Sequence, residues 1–419
     1  MMRLYGKLLT LVLVVALVML AGPALAQNKT LKVGVLGPFT GPTAKAGQEF
    51  RAATETAMER INYQVGDYKI ELVWVDSQSD PAKATSAYTE AIEKHGVDAM
   101  IGNWHSSVAV ALMDVAAQYK IPHISALGAS VIINEKWDAN PGKYRGYWMK
   151  SWPVPAKMFQ GYIDCVEELI KSGQWKPKNK KVALWSEDTD WGHSALEAFK
   201  EGFKNTGWEI VSEEFFPTTQ TDFYQMLGRY KSQQVSLIAG VSNFPAIGAL
   251  IKQADEIKLG ALIIADRLAD VGNWYELTGK SSNYVLDMLP SLSTPEAQAW
   301  VKKVEDKYGF TPSALAGGLT YDGTGFFIKI IQAANDKYGE VTSEGIANIL
   351  RDEVLPGRLT YGVKDGAIIM QEYKYSEETA PDPLIGPSYY FFPVVQYIDG
   401  EAFTIYPEVN KNADFVTPK

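Results

Sequence analysis

From Leu31 onward, apolar residues fall into short β-branched runs separated by stretches in which they recur every three or four positions. A run at 31–36 is followed by helical spacing over 48–61, a second run at 70–75, and helical spacing again over 82–95. Asp80-Pro81 opens that helix: the carboxylate can cap first-turn amides, and proline at the first helical position gives up no hydrogen bond. Runs at 99–101 and 122–125 flank a further helix over 108–119. Strand-helix alternation of this kind predicts an α/β fold, a parallel sheet covered by helices.

The rhythm restarts at 181–185, continues through a helix over 195–205, and runs on through apolar stretches at 209–216, 236–239 and 262–264. Two separate parallel sheets are therefore expected. Residues 137–155, with Pro141, Gly142, Pro153, Pro155 and several aromatics, interrupt the alternation and are predicted to be an insertion leading into a crossover. Helices over 295–308 and 323–338 follow, then a Pro/Gly/Tyr-rich strand-and-loop region from Leu355. The spacing of Phe159, Tyr162, Ile163, Cys165, Val166 and Leu169 puts the single cysteine on the buried face of a helix, so it is expected to be structural.

The first residues change the picture of where the chain works. Arg3 and Lys7 precede an apolar run over 8–20, then Gly22-Pro23 and Ala24-Leu25-Ala26. That order predicts a secretory signal peptide, residues 1–26, cleaved before Gln27. The run is shorter than the roughly 20 residues of a spanning helix, and no cysteine lies near the cut to carry a lipid, so a soluble periplasmic protein is expected. Loss of those two cations takes the formal charge from −9 to −11, which argues against nucleic acid and anionic membranes as partners.

Signs of catalysis are sparse. Gly240-Val241-Ser242-Asn243-Phe244 comes near a nucleophile elbow but lacks its second glycine. His95, His105, His123 and His193 show no metal-ligand spacing, and Gly34 and Gly37 read as turn glycines rather than a dinucleotide cradle. No cofactor, metal or catalytic residue is expected. A secreted amidase-type enzyme is the contrasting possibility.

Several segments then align in order with one known family. Leu31-Lys32-Val33-Gly34-Val35-Leu36-Gly37-Pro38-Phe39-Thr40-Gly41-Pro42, Asp76-Ser77-Gln78-Ser79-Asp80-Pro81, Ile101-Gly102-Asn103-Trp104-His105-Ser106-Ser107, Ile124-Ser125-Ala126-Leu127-Gly128-Ala129-Ser130, Asp190-Trp191-Gly192 and Leu355-Pro356-Gly357-Arg358-Leu359-Thr360-Tyr361 resemble the leucine/isoleucine/valine-binding proteins, the periplasmic receptors of ABC importers. The resemblance implies a type I periplasmic-binding fold: two Rossmann-like lobes with parallel sheets, joined by a multi-strand hinge. Lobe 1 is expected over 27–150 plus 290–353, lobe 2 over 151–289 plus 354–395, and a C-terminal tail over 396–419. The implied function is ligand binding in the interlobe cleft, by a monomer that delivers an amino acid or related small carboxylate to a membrane ABC permease. Aromatic acids, amides and betaines, and a role feeding a sensor or chemoreceptor, are alternatives.

Residue by residue, Ser106 and Ser107 stand between a strand end and a helix start, where hydroxyls and free amides either hold a carboxylate or simply cap the helix. The resemblance favours the carboxylate grip. Leu127, Ala129 and Ser130 follow the next strand at the same sheet edge, where ligands of open α/β sheets collect. From lobe 2 the resemblance brings Trp191, Asn243 or its neighbour Phe244, and Asp266 as partner of a ligand ammonium. Arg267 either neutralises Asp266 or meets an anionic group. Trp104 and Trp185 also fall at or beside predicted strand ends, with Trp185 equally suited to the core.

Overall fold

The computed structural model describes residues 29–124, 126–271 and 273–418; the expected signal peptide lies outside them, as does Ser125. The first sheet contains β1 (Lys29–Gly37), β2 (Gln64–Val65), β3 (Tyr68–Asp76), β4 (Ala99–Gly102) and β5 (His123–Ile124), in the order β2-β3-β1-β4-β5. All its pairings are parallel except that of the short β2. Leu31, Val33, Val35 and Leu36 are all buried, as a strand covered on both faces by helices requires. The covering helices include α1 (Ala44–Met58), α2 (Pro81–Glu93) and α3 (Ser106–Tyr119). Asp80 does cap α2, accepting from the Lys83 amide, with Pro81 at the first helical position.

The region expected as an insertion is organised. It supplies α4 (Val131–Ala139), a one-turn helix at Pro141–Tyr144, and a stretch that returns beside β5, where Lys150 bridges Ala126 in parallel. Residues 152–154 then cross to the second lobe, where α5 (Pro155–Lys171) packs on α6 (Asp190–Phe203). Cys165 is buried on α5, and that burial pushes its thiol up.

The second sheet holds parallel strands β6 (Lys181–Glu187), β7 (Glu209–Phe216), β8 (Leu237–Val241), β9 (Leu262–Asp266) and β10 (Leu286–Met288), with α7 (Tyr224–Ser232) and α8 (Ala246–Glu256) between them. The chain returns to the first lobe through α9 (Pro295–Tyr308), α10 (Thr320–Tyr338) and α11 (Ser343–Ile349). An antiparallel pair, β11 (Tyr361–Gly362) and β12 (Glu372–Tyr373), follows. Contrary to the expected lobe 2 assignment of 354–395, this part packs on lobe 1. Asp322 of α10 accepts backbone N–H bonds from Ile368, Ile369 and Met370 at 2.7, 3.1 and 3.1 Å, and Phe326 stacks on Tyr361.

The region expected as a tail from 396 likewise belongs to a sheet. β13 (Val394–Ile398) and β14 (Glu401–Tyr406) are antiparallel and complete the order β14-β13-β10-β9-β8-β6-β7. Their turn, Asp399-Gly400, has φ of 49° and 87°, the left-handed pair that a tight hairpin needs.

Three crossings join the lobes, and two of them are tied together in the interior. Lys150 Nζ pairs with Asp382 at 2.8 Å, with both side chains fully buried, and Lys157 and the Val154 amide bind the same carboxylate. The lobes also touch directly across their gap. Val131 N, at the start of α4, donates to Ser194 Oγ on α6 at 3.1 Å, Ser130 Oγ lies 2.9 Å from the same atom, and the His105 ring stacks on Phe244.

Candidate functional site

Between these contacts lies a pocket with about 310 Å³ of empty space, its open mouth included, lined by Trp104, Ser106, Leu127, Ala129, Trp152, Trp191, Asn243 and Arg267. It sits at the carboxyl ends of strands from both sheets, the place where open α/β sheets gather ligands. The residues that follow β4 and β9, Asn103 and Arg267, take left-handed backbone at φ of 116° and 80°. Such conformations are uncommon away from glycine and cluster at functional sites.

On the lobe 1 side, main chain builds the wall. Gly102 turns the chain out of β4 at φ 86°, where a Cβ would lie 2.5 Å from the Leu36 carbonyl. α3 begins directly after, and its N-cap His105 makes no side-chain bond to the first-turn amides, so the positive end of a 14-residue helix is open toward the cleft. His105 is instead held by Thr43 Oγ1 at 3.1 Å, and burial lowers its pKa to about 4, keeping it neutral. Ser106 Oγ accepts from the amides of Ala129 and Ser130 at 3.0 and 3.1 Å, which fixes the 127–130 loop beside α3.

On the lobe 2 side, side chains do the work. Trp191 is the second residue of α6, whose start is capped by Thr189 Oγ1 and pressed against β6 so closely that a Cβ on Gly192 would lie 1.9 Å from the Glu187 carbonyl. Asn243 is positioned by its backbone N–H, which donates to Glu187 Oε2 at 2.7 Å. The Arg267 guanidinium is nearly buried: Nε donates to Asp266 at 2.9 Å, Nη1 to Asp270 at 3.1 Å, and its plane lies over the Trp152 ring at 4.5 Å. Behind it, Asp287 accepts from the Arg267 amide and from the Tyr397 hydroxyl. Burial pushes Asp270 up to about 8 and Asp287 up to about 6, with Arg267 opposing both rises. Arg267 itself is held above its ordinary value by these carboxylates, against the effect of its burial.

The expected site residues thus divide. Trp104, Ser106, Leu127, Ala129, Trp191, Asn243 and Arg267 come together around the cavity. Asn243 rather than Phe244 faces it; Phe244 and Ser107 line the outer mouth with Asp80, Lys83 and Asp190. Ser130 turns away, its hydroxyl bound to the Ile132 amide and Ser194. Two expectations are corrected. Trp185 is fully buried under lobe 2, stacked on Phe216, because side chains of a central parallel strand point into helix-covered faces. Asp266 is 1% exposed and both its oxygens are engaged, by the Tyr162 hydroxyl at 2.8 Å and by Arg267, so it does not line the cavity.

Trp152 is the residue that sequence reasoning missed. It lies on the first crossing segment, flanked by Pro153, and packs edge-on against Tyr390 and Phe392. Nothing in local spacing marks it, since its place depends on the distant 390–392 segment. Among the described residues no group of three or more His, Cys, Asp or Glu is placed to hold a metal ion, and no helix is long and apolar enough to cross a membrane.

Comparison with known proteins places this geometry in context. Leu/Ile/Val-binding protein homolog 6 of Brucella abortus is 27% identical over 209 residues, 49% of each chain, so the match spans about half the length of that relative. A candidate branched-chain amino acid ABC transporter protein of Silicibacter pomeroyi has the same fold, with a TM-score of 0.74, 19% identity and coverage of 93% and 99% of the two chains. So does an ABC transporter solute-binding protein of R. palustris in complex with 4-hydroxybenzoate, with a TM-score of 0.71, 22% identity and coverage of 93% and 98%. Residues 30–370 match the family model described as periplasmic binding protein, and with two lobes closing on a shared cavity the chain belongs to that family.

Proposed function

We propose that this chain is the periplasmic substrate-binding component of a branched-chain amino-acid-type ABC importer, and that it clamps a small carboxylate between its lobes without transforming it. The observation that carries this reading is a cavity to which both lobes contribute: Ser106 and the open end of α3 from one, Trp191 and Arg267 from the other. A ligand there touches both walls at once, so the closed form gains contacts that an open form lacks, and binding shifts the population toward closure. The names of similar proteins support the ligand size and the partner, a membrane permease that reads the closed shape. The predicted signal peptide supports the compartment.

The test is mass spectrometry of small molecules copurifying with the exported protein, followed by thermal melting against branched-chain amino acids, aromatic acids, amides and betaines. A saturable rise in melting temperature of a few degrees is expected for at least one carboxylate, since a ligand at a hundred times its Kd adds about 2.7 kcal/mol. Flat curves with every class would overturn the assignment.

A further inference from the structure

Among the side chains that line the cavity, donors outnumber acceptors, and Asn243 brings the only amide carbonyl. Ser106 Oγ already accepts two amides, so its two lone pairs are taken and only its hydrogen is left to offer. The indole N–H groups of Trp152 and Trp191 are buried and have no partner. Arg267 spends Nε and Nη1 on Asp266 and Asp270, and Nη2 makes no bond among the described residues. No lining residue is an aspartate or glutamate, and the nearby Asp266 has both oxygens occupied.

A buried ammonium is costly without a carboxylate to pair with, and none lines this cavity. It presents a guanidinium instead, already seated over the face of Trp152, so a second cation there meets like charge rather than a vacant aromatic face. Three indole rings, from Trp104, Trp152 and Trp191, make flat apolar walls that favour stacked or edge-on aromatic rings.

Resting on the reading of this cavity as the ligand site, we infer that its ligand is an aromatic monocarboxylate without an α-ammonium group, and that zwitterionic α-amino acids are discriminated against. The carboxylate takes hydrogen bonds from Ser106 and the free edge of Arg267, while the ring lies among the tryptophans. Rejection follows from the amino group's lack of an anionic partner. A site whose polar groups go unmatched can discriminate far more strongly than one that differs only in apolar fit.

The experiment is titration calorimetry of the purified full-length mature protein, freed of copurified ligand by dialysis, with two matched pairs: 3-phenylpropionate against L-phenylalanine, and 4-methylpentanoate against L-leucine, plus benzoate. Each pair differs only in the α-ammonium. The desamino acid is expected to bind at least tenfold more tightly in each pair, with benzoate saturating as well. If either amino acid equals or exceeds its desamino partner, this inference falls and the receptor reading stands; if no compound of the melting panel binds, both fall. Trp152→Phe and Trp191→Phe, which keep a ring but delete the N–H, are each expected to weaken benzoate binding about tenfold at a temperature where circular dichroism shows the variant fully folded. Unaltered affinity in both variants would also overturn the inference.

Discussion

The two walls of the cavity are made in different ways. Lobe 1 offers a serine hydroxyl, a helix end and a loop whose amides are tied to that serine, all set by backbone turns at Gly102 and Asn103. Lobe 2 offers a guanidinium embedded in three carboxylates and two tyrosine hydroxyls, Tyr162 and Tyr397, that converge from distant segments. The first wall is local and electrically mild. The second is a charged network in low dielectric, where each member depends on the others.

Breaking the charged wall is expected to have the largest effect. Arg267→Met leaves Asp266, Asp270 and Asp287 buried without their cation. Loss of one partner from such a pair costs about 3–5 kcal/mol, visible in chemical denaturation, together with loss of carboxylate binding. Next comes pH. The Asp270 carboxyl titrates near 3.8 unfolded and about 8 folded, facing Arg267, Asp266, Asp287 and Glu49. Between those values the folded state keeps a proton that the unfolded state has lost, so the stability linked to Asp270 falls as pH rises through that window. Melting temperature is therefore expected to decline from pH 6 to pH 9, and Asp270→Asn to flatten the decline. An equal slope in the variant would remove Asp270 as its cause.

The mild wall should respond less in stability and more in binding. Ser106→Ala orphans the amides of Ala129 and Ser130, at about 1–3 kcal/mol for a buried unsatisfied group, and speeds hydrogen exchange in the 127–130 loop. Ligand affinity should drop by one to two orders of magnitude. Smallest of all, Ser194→Ala removes a hydroxyl that bonds across the lobes, about 1 kcal/mol, and should increase the radius of gyration of the ligand-free protein in solution scattering.

The same contrast governs what could be read from the chain. Apolar spacing and the Asp80-Pro81 start were enough to anticipate both sheets and α2, because those signals are local. Ser106 and the 127–130 loop were equally legible, since each lies within a few residues of a strand end. Asp266 was misplaced because no spacing tells a carboxylate aimed into a cleft from one consumed by Tyr162, which lies 104 positions away. Trp185 suited cleft and core equally in sequence, and strand packing puts it in the core, whereas the resemblance singled out Trp191. The β13–β14 hairpin had a readable sign in Asp399-Gly400 between alternating apolar residues, masked by the Pro-rich stretch before it.

The Lys150–Asp382 ion pair has a mechanical consequence. Two of the three straps between the lobes are riveted to each other beneath Trp152, so they cannot splay apart independently. Swinging about that shared axle leaves the empty protein fewer ways to hang open. Closure then forfeits less disorder, and more of the contact energy from a captured molecule survives as affinity.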